Sequence, residues 1–78
     1  MEEVNTVVLE NGIEYMEVDK LVHDNNTYIL LANYQNIKDS CIRKISIENN
    51  QEYLCKLNDD ELKKVLNLFV EKNKALFN

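Results

Sequence analysis

Two spacings divide this chain near Leu57. Before it, apolar residues come in five short runs separated by polar turns, and after it they recur every three or four positions. The runs predict strands over about 4–10, 13–22, 27–34, 41–48 and 52–57, and the later spacing predicts a helix over about 59–76. Asn11-Gly12 joins the first two runs and signals a type I′ hairpin, in which both central residues take positive φ. A two-residue loop then sets Leu9 opposite Glu14, Val8 opposite Tyr15, Val7 opposite Met16 and Thr6 opposite Glu17. One face carries Val8, Ile13 and Tyr15, and the other carries Val7, Leu9, Met16 and Val18. Neither face is cleanly polar, so either both are covered or a bulge near Tyr15-Met16 changes the phase.

His23-Asp24-Asn25-Asn26 reads as a turn into Thr27–Tyr34, a run apolar on both faces that belongs in the middle of a sheet. Gln35–Ser40 is a polar loop around Ile37. In Cys41–Glu48, Ile45 and Ile47 face one way while Lys44 and Ser46 face the other, and Asn49-Asn50 turns the chain into Glu52–Leu57. The implied sheet is an antiparallel meander of four or five strands.

Asn58-Asp59-Asp60-Glu61-Leu62 marks the change from strands to helix. Asn58 caps the first free N–H groups, Glu61 is placed to reach back in a capping box, and Leu57 with Leu62 forms a hydrophobic staple. Steps of 100° put Leu62, Val65, Leu66, Phe69, Val70, Leu76 and Phe77 on one side. Lys63, Lys64, Asn67, Glu71 and Lys74 fall on the other. Asn73 interrupts the apolar side, which fits last turns that overhang the sheet and meet water. The expected fold is α+β: one small domain with the C-terminal helix packed on an antiparallel sheet.

Composition narrows the chemistry. The chain has 78 residues and a net charge of −5. Residues 1–39 hold eight acids against Lys20 and Lys38, and the remainder is nearly balanced. An acidic half disfavours direct contact with nucleic acid or anionic membrane and permits a basic protein surface as partner. Met1-Glu2-Glu3 lacks the basic start and apolar run of a signal peptide, and no run reaches membrane-spanning length, so a cytoplasmic setting is expected. Twelve Asn, a single Gly and no Pro resemble the usage of an AT-rich genome.

No catalytic pattern stands out. His23, the single histidine, sits in a polar turn without partners for acid–base or metal work. Cys41 and Cys55 lie in predicted strands and read as small core hydrophobes, or as one bridge if their strands pair. Neither a metal nor a cofactor is expected, and the chain is not expected to be an enzyme. Glu10, Glu14, Glu17 and Asp19 crowd the first hairpin on extended strands, a charged edge that deters strand aggregation or docks on a basic partner. Tyr34, Ile37 and Asp39 in the longest loop extend that contact surface. On the outer helix face, Leu68 with Lys64, Lys72 and Ala75 offers a patch for self-association, so the chain is expected to be a monomer or homodimer.

Thr27-Tyr28-Ile29-Leu30-Leu31, a polar loop, Cys41-Ile42-Arg43-Lys44-Ile45, Glu52-Tyr53-Leu54 and Leu57-Asn58-Asp59-Asp60-Glu61-Leu62-Lys63-Lys64-Val65-Leu66 follow one another in order. Over about residues 13–70 this order resembles the YrzB-like family of small acidic proteins of low-GC Gram-positive bacteria and their phages. The resemblance implies strands followed by a helix, a bacterial or phage setting and no activity. The functional expectation is a protein-binding regulator or inhibitor, carried by a phage or mobile element, that meets a basic host surface through its acidic edge. A self-associating structural subunit is the alternative.

Overall fold

Short polar turns return each strand antiparallel beside the one before it. A computed structural model describes residues 5–36 and 38–74. Strands β1 (Thr6–Val8), β2 (Glu14–His23), β3 (Asn26–Asn33), β4 (Ser40–Glu48) and β5 (Gln51–Cys55) form one sheet in chain order, followed by helix α1 (Asp59–Lys72). The architecture is the expected α+β meander with a C-terminal helix. β1 is one edge, β5 is the other, and the doubly apolar β3 lies in the middle. Among the described residues, no helix is long and apolar enough to cross a membrane.

The turns sort differently from expectation. Asp24-Asn25 and Asn49-Asn50 have positive φ at both residues and make two-residue turns of type I′. The Asn-Gly turn does not. There the Gly12 N–H bonds the Leu9 carbonyl at 2.9 Å and the Leu9 N–H bonds the Ile13 carbonyl at 3.1 Å. Gly12 takes φ 77, closing a type I turn with a glycine bulge, a loop one residue longer. Asn11 locks this form by accepting the Ile13 N–H at 3.0 Å. The register therefore moves by one: Val7 faces Tyr15, and Val8 faces Glu14. Because side chains alternate with period two, the slip puts Val7 on the same face as Tyr15.

A bulge does occur in β2, at Val18 and not at Tyr15-Met16. Glu17 pairs with Leu31 and Asp19 with Leu30, so Val18 is the extra residue. Before it, Tyr15 and Glu17 point to the inner face, and after it Lys20 and Val22 do. Asp19 and Leu21 are thereby re-aimed at the helix.

Each face has its own core. On the inner face Leu9, Tyr15, Ile29 and Leu31 are buried, with Val7, Cys41, Ile45 and Leu54 packed on them. α1 lies on the other side, yet Leu31 is fully buried. The sheet curls, so that Val7 from the β1 edge and Leu54 from the β5 edge meet on one cluster. On the helix face Tyr28, Ile42, Val65 and Phe69 are buried, with Leu21, Leu30 and Leu57 around them.

α1 starts where expected and ends about one turn early. The Asn58 Oδ1 accepts the Glu61 N–H at 2.8 Å. The Glu61 carboxylate does not complete a capping box. It accepts from the Tyr28 hydroxyl at 2.8 Å and from Lys44 Nζ at 3.2 Å. At the other end Asp19 accepts from Lys72 Nζ at 2.6 Å and from Asn73 Nδ2 at 2.9 Å. Asn73 is thus a C-cap tied to the sheet, not an overhanging residue. These two polar clasps rotate the helix. Val65 and Phe69 are buried and Leu68 is partly buried, while Leu62, Leu66 and Val70 remain 38, 49 and 50 % exposed. Leu76 and Phe77 lie outside the described residues.

Candidate functional site

The site begins with a mismatch of strand lengths. β4 pairs β3 from Ser40 to Ile45, but β5 covers only Lys44–Glu48. β5 ends at Cys55, and Lys56 and Leu57 lead the chain to Asn58, which caps α1. Among the described residues, no strand lies on the outer side of Ser40–Arg43.

Which backbone groups line that free edge follows from the ladder. The Asn33 N–H bonds the Asp39 carbonyl at 2.8 Å, so Asp39 turns its polar groups toward β3. Alternation makes Cys41 and Arg43 do the same, and it turns the N–H and C=O of Ser40 and Ile42 outward. The Ile42 carbonyl receives Arg43 Nη1 at 3.4 Å, a weak contact.

A groove of about 390 Å³ runs beside this edge, within the ~300–1,000 Å³ range of binding pockets. Its apolar walls are Leu30 and Ile42 from the sheet, Leu57 from the connection, and Leu62 and Leu66 from α1. Val70 continues the exposed line along the helix. Leu57 and Leu62, the expected staple, face the same groove. Arg43 and Lys56 stand at the mouth. Glu10 Oε1 lies 3.1 Å from Arg43 Nη2 and 3.3 Å from Lys56 Nζ. Its own backbone N–H, and then Lys56, hold the Glu10 carboxyl below the usual carboxylate range.

The residues expected to meet a basic partner fall into separate settings. Glu10 bridges the two bases at the groove mouth. Glu17 lies 3.6 Å from Lys20. Asp19 holds the end of α1. Desolvation, the largest single influence, pushes its carboxyl up, and the bonds from Lys72, Asn73 and the Lys20 N–H together bring it below its ordinary value. Asp39 is an internal pin: Oδ2 accepts from the Tyr15 hydroxyl at 3.0 Å and from Asn33 Nδ2 at 3.2 Å. Glu14 and Tyr34 remain exposed side by side, with the Tyr34 N–H on the Glu14 carbonyl at 3.2 Å. Ile37 lies outside the described residues.

The self-association patch is likewise divided. Lys64 is exposed and 4.0 Å from Asp24, Leu68 turns partly inward, Lys72 is held by Asp19, and Ala75 lies outside the described residues. The exposed apolar line on α1 is Leu62, Leu66 and Val70, which hydropathy alone assigned to the core.

The remaining chemistry-bearing side chains are scattered. His23 Nε2 lies 3.4 Å from Asp24 Oδ2. Cys41 and Cys55 are free thiols. Cys41 faces inward beside Leu31, whereas Cys55 pairs with Lys44 on the helix face. Those positions are three steps apart along β4, about 10 Å, and the opposite faces rule out a bridge without rearrangement. Burial pushes the Cys41 thiol up. Among the described residues, no three His, Cys, Asp or Glu side chains gather as a metal site.

The sequence matches no protein-family model and no curated protein, and the fold matches no solved structure.

Proposed function

We propose that this protein works by binding another protein, as a regulator or inhibitor without chemistry of its own, and that the partner docks in the groove between α1 and β4. One observation carries the reading: half-exposed Leu62 and Leu66 share a groove with Leu57 and Ile42 beside a stretch of β4 that has no outer strand partner among the described residues. A domain this small has few apolar side chains to spare from its core. Leaving a continuous apolar line on its helix marks a surface for a partner. Capture from host lysate tests it. Leu66→Glu is expected to abolish recovery of a partner that wild type retains, with circular dichroism unchanged. Equal recovery by the variant refutes groove docking.

A second reading keeps the acidic hairpin as the contact for a basic surface. Exposed Glu14 and Tyr34, buttressed by Asp39 through Tyr15, favour it. Loss of the partner in Glu14→Lys with Tyr34→Ala, but not in Leu66→Glu, selects that reading.

A further inference from the structure

The docking reading leaves open what kind of segment the groove takes, and the free edge of β4 answers that. We infer that the groove captures an extended peptide by strand addition, and that the recognised segment alternates an apolar residue with an acidic one. The inference rests on groove docking and specifies its occupant.

The outward N–H and C=O groups of Ser40 and Ile42 are the hydrogen-bonding pattern an added strand needs. A peptide residue placed opposite Ile42 shares its face, because paired residues point the same way. That side chain enters the groove against Leu57, Leu62 and Leu66, where an apolar group belongs. Its neighbours point to the opposite face, beside Arg43 and Lys56. Lys56 is 71 % exposed, and one carboxylate, Glu10, is shared between the two bases. The chain's own Glu10 shows that a carboxylate is accepted at this position, and the mouth retains one surplus positive charge. Strand addition also removes an edge liability that β4 otherwise carries.

The test selects a displayed library of random peptides of roughly seven residues on the full chain. An enriched peptide is then titrated into isotope-labelled protein. Expected are sequences alternating apolar and acidic residues, amide shifts at Ser40 and Ile42, and affinity tightened several-fold by Glu10→Gln, which frees both bases. N-methylation of the peptide residue facing Ile42 is expected to weaken binding about tenfold or more. Ser40→Pro does the same from the protein side: the Ser40 N–H faces outward, so no β3 ladder bond is lost. If that variant unfolds, the N-methylated peptide decides alone. Retained affinity after N-methylation, or selected peptides with helical spacing, overturns strand addition and leaves groove docking standing. Affinity unchanged in Leu66→Glu overturns both, and so does a selection that enriches nothing.

Discussion

Asp19→Ala removes the clasp at the C-terminal end of α1 and carries a magnitude that can be worked from contacts. The carboxylate accepts Lys72 Nζ at 2.6 Å, Asn73 Nδ2 at 2.9 Å and the adjacent Lys20 N–H at 2.8 Å. Hydrogen bonds to charged groups contribute about 1.5–3 kcal/mol each when shielded. Lys72 is 46 % exposed here, so solvent and salt reduce its share to well below about 1 kcal/mol. Asn73 keeps its second bond to the Phe69 carbonyl at 2.9 Å. The expected loss is about 1.5–2.5 kcal/mol. With a urea slope of about 1 kcal/mol/M for a domain this size, the midpoint falls by about 1.5–2.5 M. Glu17→Ala, which removes only the 3.6 Å contact with Lys20, should stay within about 0.5 kcal/mol of wild type. Acid titration supplies the sign. Asp19 is held below its ordinary value in the folded chain, so its stabilisation is present above an unfolded pKa of about 3.9 and fades as pH falls through the folded value. Wild type and Asp19→Asn should therefore differ at pH 7 and converge toward pH 2. An Asp19→Ala midpoint no lower than that of Glu17→Ala refutes the clasp.

Phe69→Ala, at a residue 2 % exposed, is expected to cost about 3–5 kcal/mol, whereas Leu66→Ala should cost under about 1 kcal/mol; equal losses on denaturation would mean that the helix seats as hydropathy alone suggests. Asn50→Gly relieves a left-handed residue with φ 66 and should raise stability by about 0.5–1 kcal/mol in thermal melts. Deleting Val18 restores unbroken alternation from Glu17 to Asp19 and leaves Asp19 opposite Leu30 on the helix face, so the variant should keep the Lys72 contact and melt close to wild type; a melting temperature well below wild type would show that the bulge itself sustains the fold. Cys41, its thiol pushed up by burial, should react with a thiol reagent more slowly than Cys55, and no intramolecular bridge should form under mild oxidation.

Strand order was legible in the sequence because alternation, β-rich runs and polar turns all pointed to a meander, and nothing in the tertiary structure opposed them. The helix start was legible for the same local reason: Asn58 caps through one side chain three residues from its target. The first hairpin misled because Asn-Gly serves two turn geometries. The choice between them fell to an Asn11 side-chain bond that no pattern reveals. Asp19 could not be told from its acidic neighbours, since its orientation depends on a bulge one residue upstream. The free β4 edge was not legible: the apolar run reaches Leu57, but β5 ends at Cys55, and the two missing positions leave Ser40–Arg43 uncovered among the described residues.

Rotation of α1 links stability to binding. Apolar spacing alone centres the buried arc near Leu62, Leu66 and Phe69, while the structure centres it near Val65, displaced by roughly 60° against 100° per residue. Hydrophobic burial does not favour that turn, because it leaves two leucines and a valine half in water. The polar clasps account for it. Glu61 is drawn down onto Tyr28 and Lys44, and Lys72 and Asn73 are drawn down onto Asp19, so both ends of one helical line face the sheet. Burial first and the Glu61 carboxylate second push the Tyr28 phenol up, while the Tyr28 bond foremost holds Glu61 below its usual range; the two groups titrate apart and the bond survives neutral pH. The groove is then a product of the clasps, since Leu62 and Leu66 stand over the β4 edge only while the helix is turned. Weakening either clasp should let the leucines roll onto the sheet and narrow the groove. Asp19→Ala, measured where it is still fully folded, should therefore bind a groove-selected peptide several-fold more weakly without touching it. Unaltered affinity in that variant would separate the groove from the clasps and leave the exposed leucines without a structural cause.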